Sequence, residues 1–464
     1  MPSHLLNDSL SIRDNHLYIE GCDTVSLAQN FGTPLFVVSE TRLRQNFRRL
    51  RRAFSACWPE GPVEVLPSIK ASPLIAIQKI LTSEGAGADV FGPGELEIAL
   101  RAGVPAQSIS VNGSIKDYSI VRRSVEIGAK IVLDSSRELD LCEEVSRELR
   151  RPAQVVFRLK PYLDDIDLQS DYAPVHDIRT LIQIIKYGIP TSDLLDIGRR
   201  ALLSPHIEPV GIHMHMGRHS KRLDVWQSWV RHGVLLTKEL SDAMSGWVPK
   251  SINIGGGLPS LPDLDTDVTV KGYPGPTLEE MAQAITDTLR ETLQRANLPA
   301  AGMALQIEPG RAIHCDTGVH LTTVRNIKHE TRHVDREWIE VDTSQMFLGI
   351  GGANFDGPKF DFLTASRADE PASRRVDIVG QTCNLELLFH QVMVPPLEVG
   401  DVIALLNTGS YIESCGRNFN ALPRPGTVLV HRDVAEMIKR HEHIDEVLER
   451  DVVPLRLGEQ AARL

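Results

Sequence analysis

The 464-residue chain lacks any apolar run approaching the roughly 18 residues of a membrane span, so no bilayer crossing is expected. Its opening stretch, MPSHLLNDSLSIRDNHLYIEG, lacks the basic-then-apolar order of a leader, and a cytoplasmic address is the expectation. The six cysteines (Cys22, Cys57, Cys142, Cys315, Cys383, Cys415) form no CxxC pair, which argues against a zinc site or a disulfide framework; no metal is expected. Positive charge is in short supply. A formal net charge of -11 disfavours nucleic acid as a partner, because binding phosphates needs a basic surface. The local exception is TRLRQNFRRLRRAF, where Leu43, Phe47, Leu50 and Phe54 recur at helical spacing and the arginines are expected on the opposite, solvated face. No internal repeat or low-complexity linker is evident, and no GxGxxG follows the first strand, as a doubly wound open sheet would want.

What is present is alternation. Short β-type runs (VEVLPSIK from 63, GADVF from 87, ISVNG from 109, KIVLDS from 130, AQVVFRLK from 153, PVGIHMHMG from 209, SINIGGG from 251, ALQIEPG from 304) are separated by amphipathic stretches. Eight such units over about 250 residues are the pattern of an α/β protein with a closed (β/α)8 TIM barrel. The chain is long enough for a second core, since single cores stop growing near roughly 250 to 300 residues. After Gly310 strand-like pieces take over (HLTTVRNIKH, EWIEVD, RRVDIVG, DVIALLN, GTVLVH), which predicts a mostly β second domain. LSIRDNHLYIEG reads as a strand, a turn at Asp14-Asn15 and a strand, and is expected to complete that domain from the other end of the chain. The expected division is a barrel over 37–314 and a β domain over 1–36 and 315–464. The acidic stretch 162–178 is expected as a mobile loop beside a barrel opening.

Barrel strands share one face at their C-terminal ends, so distant residues meet there. The first strand offers Lys70, the sixth His213 and His215, the seventh Gly255, Gly256 and Gly257, and the eighth Glu308, Gly310 and Arg311. A glycine triplet lets successive backbone N–H groups face a phosphate closely, and Gly310-Arg311 adds an amide and a cation; taken alone, the triplet is equally a tight turn. Glu308 could hold a pyridine nitrogen protonated and make the ring an electron sink. A lysine at the strand mouth, desolvated and beside cationic groups, has its pKa lowered and can form a Schiff base with an aldehyde. His213 reads as a packed or supporting histidine.

The ordered set SIKAS, ADVFGPGELEIALRAG, NGSIKD, KYGIP, GIHMHMG, NIGGG, EPGRA, GQTC and TGSYIESCGRNFNALPRP resembles the motifs of the fold type III pyridoxal-phosphate amino acid decarboxylases, the group of diaminopimelate and ornithine decarboxylases. The resemblance implies an alanine racemase-like barrel and a Greek-key-like β-barrel or sandwich. It implies that Lys70 bonds the cofactor aldehyde, with Asp89 close by, His215 stacked on the ring and Glu308 on the pyridine nitrogen. Gly255, Gly256, Gly257, Gly310, Arg311 and Tyr411 would cradle the phosphate. Cys383 and Tyr411 would come from the β domain, with the cysteine serving a neighbouring subunit of a homodimer. A thiol at the site's edge can return a proton to Cα after CO2 leaves.

The chain also departs from that pattern. Diaminopimelate decarboxylases usually carry a glutamate after the cysteine and an Arg-Pro-x-x-Tyr stretch; here Asn384 follows Cys383, and VDTSQMFLGIGGANFDG has no arginine. Unpaired buried ends of that substrate would cost about 1 to 3 kcal/mol each, so a different amino acid or an amino acid conjugate is expected. Arg218, Asn384, Glu386 and the carboxylates Asp164, Asp165 and Asp167 are the candidates for recognising it. The alternatives are an amino acid racemase on the same scaffold and a non-catalytic regulatory homologue.

Overall fold

The structure, a computed structural model, describes residues 5–163, 165, 182–216, 222–260, 276–349 and 360–458. The chain divides into two compact units, residues 42–316 and the joined segments 1–41 and 317–464.

Residues 42–316 contain eight parallel strands, one in each of the eight runs read from the sequence: β1 (Val63–Val65), β2 (Ala88–Val90), β3 (Ile109–Val111), β4 (Lys130–Leu133), β5 (Ala153–Arg158), β6 (Ile207–His213), β7 (Ser251–Asn253) and β8 (Ala304–Ile307). Each strand from β2 to β7 pairs with the next in sequence, and β8 pairs with β1. The ring closes between β1 and β2. There Ser68 and Asp89 form a parallel bridge, Gly87 N donates to Val65 O at 3.0 Å and Asp89 N to Pro67 O at 3.1 Å. A helix follows every strand, from Ile75–Ser83 after β1 to Leu278–Arg295 after β7, with a single turn, Arg311–His314, after β8. Helix Glu40–Cys57 packs on that turn through Asn46 Nδ2 to Ile313 O at 2.9 Å, and so supplies the eighth helical wall.

Leu43, Phe47, Leu50 and Phe54 of that helix are fully buried, each removing apolar surface worth about 1.5 to 3 kcal/mol from water. Its arginines are not simply solvated. Arg44 and Arg48 both bind Glu84, Arg49 makes a two-point pair with Glu279, and Arg42 reaches Asp316. The Arg48 and Arg44 guanidiniums hold the Glu84 carboxyl down at about 2. The face is solvated as expected, with Arg48, Arg49 and Arg52 exposed, but the fold also brings acidic partners from other barrel segments, far away in sequence, opposite several of the arginines.

The second unit is mostly β. Leu10–Arg13 and His16–Ile19 form the expected hairpin, with Asp14 and Asn15 at φ 48° and 66°, the left-handed pair of a two-residue turn that suits strand twist. The central strand Gly318–Glu330 pairs antiparallel with Leu35–Ser39, Arg336–Val341 and Val402–Leu406. Arg374–Val379, Leu387–Val394, Gly426–His431 and Val434–Lys439 extend the sheet. Two apolar clusters, around Leu35, Leu321 and Val428 and around Ile339, Ile378 and Leu405, form its core.

Candidate active site

At the C-terminal ends of the barrel strands a polar network runs through apolar surroundings. Lys70 sits on the one-turn segment Ile69–Ala71 just beyond β1. Its Nζ lies 2.9 Å from Asp89 Oδ2 and also contacts Ser68 Oγ, which itself donates to Asp89 Oδ2 at 2.6 Å. The sequence suggested a desolvated lysine among cations; instead the side chain is 42% exposed and a carboxylate faces it. That arrangement fixes the amine in place and gives its proton somewhere to go.

The network continues through Asn112, just past β3. Its Nδ2 bridges two carboxylates, Asp89 Oδ1 at 2.7 Å and Glu308 Oε1 at 3.0 Å. Asn253, the last residue of β7, donates to the same Glu308 Oε1 at 2.8 Å, and His213, the last residue of β6, lies 3.0 Å from Glu308 Oε2. Register explains the convergence: His213 pairs with Asn253 across the sheet, and Asn253 with Gln306 two residues before Glu308. Burial pushes the Glu308 carboxyl up, but His213 beside it and the Lys70 ammonium outweigh it and hold the group ionised.

His215 accepts a hydrogen bond at Nδ1 from Gly256 N at 3.0 Å, which leaves the ring proton on Nε2. Burial, then the positive charges of Arg158 and Lys70, push its imidazole down to about 3, so it presents a neutral ring. The glycine triplet works differently from its expected role. Gly255 N donates to Asn253 Oδ1 at 2.8 Å and Gly256 N to His215, so neither amide stands open towards an anion. What these positions demand is the absence of a side chain: a Cβ on Gly255 would lie 2.5 Å from Met214 O, and one on Gly256 2.3 Å from Glu308 O. Gly257, at φ 96°, and Gly310 and Arg311 just beyond β8 are the other residues expected at the phosphate.

Cys383, Asn384, Glu386 and Tyr411 belong to the β unit. Cys383 is exposed, its N donating to Asn420 Oδ1 at 3.1 Å while Asn420 Nδ2 reaches its sulfur at 3.4 Å. Asn384 and Leu385 beside it are also exposed. Glu386 corrects its assignment as a substrate contact: it is 1% exposed, and its carboxylate takes Ser344 Oγ at 2.8 Å, Gln345 N at 2.7 Å and the Thr382 hydroxyl. It is the internal staple of the loop that carries Cys383. Tyr411 adopts φ 61° and is partly buried. Arg218, Asp164, Asp167 and most of the 162–178 stretch lie outside the described residues. Asp165 is engaged by Ser228 Oγ at 2.5 Å and Arg231 at 2.7 Å.

Ser68, Asn112 and Asn253 lie within SIKAS, NGSIKD and NIGGG, motifs that by themselves assign them no role. The available signal was a polar residue ending or just following an apolar strand, where burial demands a partner.

A family model described as the pyridoxal binding domain of pyridoxal-dependent decarboxylases matches residues 40–315. The chain belongs to the pyridoxal-dependent decarboxylases. This membership decides for a decarboxylase over the racemase alternative. The chain is similar to the diaminopimelate decarboxylase of Methanothermobacter thermautotrophicus, 30% identical over 449 residues that cover 95% of this chain and 97% of the relative. The crystal structure of diaminopimelate decarboxylase from M. jannaschii in complex with L-lysine matches with a TM-score of 0.84 at 27% identity, covering 97% of this chain and 99% of that one. A lysine/ornithine decarboxylase from Vibrio vulnificus, complexed with putrescine, shares the fold at a TM-score of 0.69 and 20% identity, over 88% of this chain and 97% of that one.

Pyridoxal phosphate fits the residues of this decarboxylase. Lys70 supplies an amine for the aldehyde, and Glu308 a buried anion for a ring nitrogen. The Oδ1 atom of Asn112 is buried without a partner among the described residues, an acceptor awaiting a donor. Among the described residues no helix is long and apolar enough to cross a membrane, and no cluster of metal-ligating side chains occurs.

Proposed function

We propose that this decarboxylase removes the α-carboxylate of an amino acid, free or conjugated, other than diaminopimelate. The observation that carries this reading is the tip of the Cys383 loop, which presents neutral Asn384 and apolar Leu385 while its one carboxylate, Glu386, is turned inward and consumed. A distal ammonium approaching that tip would lose the anion it needs, at about 1 to 3 kcal/mol.

In the barrel, Lys70 would hold the cofactor aldehyde, Glu308 the ring nitrogen, His215 the ring face, and Gly257, Gly310 and Arg311 the phosphate. When bound, pyridoxal phosphate supplies the electron sink for the pair that departing CO2 leaves behind. Asp89 Oδ2 is placed to take the proton that Lys70 Nζ must shed before it attacks a carbonyl carbon. Asn112 ties that end to Glu308, so the two reacting ends keep a fixed separation. Cys383 would return a proton to Cα, and we infer that it does so in the site of a second copy of the chain.

The diaminopimelate decarboxylases among its relatives favour the competing substrate. The test is CO2 release by the cofactor-loaded protein over a panel including meso-diaminopimelate, ornithine, lysine, arginine, glutamate and citryl-linked diamino acids. The proposal expects kcat/KM for diaminopimelate to fall well below that of another member; diaminopimelate as the best substrate would overturn it.

A further inference from the structure

His213 stands behind Glu308, where the decarboxylase reaction as proposed gives it no part. It is 1% exposed, its Nε2 lies 3.0 Å from Glu308 Oε2, and its Nδ1 is buried without a partner among the described residues. An ionised carboxylate has no proton to offer, so Nε2–H is the donor and a neutral ring carries its lone pair on Nδ1. Oε1 is already occupied by the amides of Asn112 and Asn253. Among the described residues Glu308 thus accepts three N–H groups, and His213 is the one on Oε2.

We propose that His213 is a positioning residue that keeps the proton shared between Glu308 and the cofactor's ring nitrogen on the nitrogen. The inference rests on the proposed placement of that nitrogen against Glu308. Each donor to a carboxylate stabilises the anion relative to the acid. With three donors Glu308 is too weak a base to draw the proton away, and the ring stays cationic. Without His213 the N–H bond breaks in favour of an O–H bond on Oε2, the ring becomes neutral, and the electron sink weakens. The two asparagines cannot substitute, because they satisfy the other oxygen.

The readout is the ring-nitrogen resonance of 15N-labelled pyridoxal phosphate bound to the protein, which separates pyridinium from neutral pyridine. Wild type and His213→Gln, which keeps an N–H donor, should both show pyridinium. His213→Met, of similar bulk but without a donor, should move the resonance towards neutral pyridine and lose CO2 release in parallel. An unchanged pyridinium signal in His213→Met, or equal impairment of the Gln and Met variants, would overturn the proposal. A neutral ring in wild type would instead overturn the placement of the nitrogen against Glu308. Should the Met variant fail to fold, histidine 15N spectra of wild type decide: the Nε2–H tautomer at His213 supports the proposal, and the Nδ1–H tautomer removes its donor and overturns it.

Discussion

Substituting Gly256 by alanine tests how closely the strand ends must pack to build the site. The added Cβ would lie 2.3 Å from the Glu308 carbonyl oxygen and 3.5 Å from His215 Cε1. The first contact is with backbone, which has no rotamer to escape into, so β7 and β8 must separate by about 1 Å at their ends. Overpacking of this kind costs typically 1 to 3 kcal/mol, and the rigid neighbour puts this case near 3 kcal/mol. For a unit of this size, ~2 to 4 °C per kcal/mol gives a Tm lower by roughly 6 to 12 °C. The same shift moves Glu308 and strips His215 of its Gly256 donor, so cofactor affinity should fall as well. Gly94→Ala, where a Cβ meets nothing within 4 Å, is the control and should be neutral or slightly stabilising. Thermal unfolding and cofactor titration of both variants are the assay. A Gly256→Ala protein within about 2 °C of wild type that retains its cofactor would refute the packing argument.

Three further outcomes are expected. If Cys383 serves a second copy's site, then Lys70→Ala and Cys383→Ala proteins, each nearly inactive alone, should regain about a quarter of wild-type CO2 release when mixed and allowed to exchange subunits; no recovery would mean each chain completes its own site. Glu386→Ala should free the Cys383 loop by leaving Ser344, Gln345 and Thr382 without their acceptor. A loss of about 1 to 3 kcal/mol in unfolding free energy, with lowered kcat and unchanged cofactor binding, is the signature. Burial pushes the imidazoles of His314 down to about 4 and His320 to about 3. The unfolded chain takes up these protons below about pH 6.5 and the folded chain does not, so stability is full above that pH and falls as the pH drops towards the folded values, by roughly 1.4 kcal/mol per pH unit per histidine. Urea unfolding at pH 6 and pH 5 should show the loss, and His320→Gln should shed one histidine's share of the slope.

Much of the barrel was legible because parallel strands buried on both faces leave short apolar runs, each cut off by Gly, Pro or a charged residue. Leu387–Val394 escaped notice because most of its residues are only partly buried and its apolar positions follow no clean alternation. The chemistry-bearing residues of common motifs were readable by resemblance, but their working partners were not. Asn112 and Asn253 matter because barrel closure and register bring them to one carboxylate, a fact of three dimensions that residue type does not announce. The glycine triplet shows the same gap: the sequence suggests amides open to a phosphate, while the structure shows two of them donating to Asn253 and His215. Glu386 misled for a related reason. An acid three residues from Cys383 looks available until the left-handed backbone at φ 51° turns it into the unit's interior.

The account stands on Lys70 as the residue that holds the cofactor. Borohydride reduction of the pyridoxal-phosphate-loaded protein, followed by peptide mass spectrometry, tests this directly. The account predicts a phosphopyridoxyl group on Lys70 at high occupancy, lost in Lys70→Ala. Modification concentrated on another lysine such as Lys116, or none at all after loading, would contradict it.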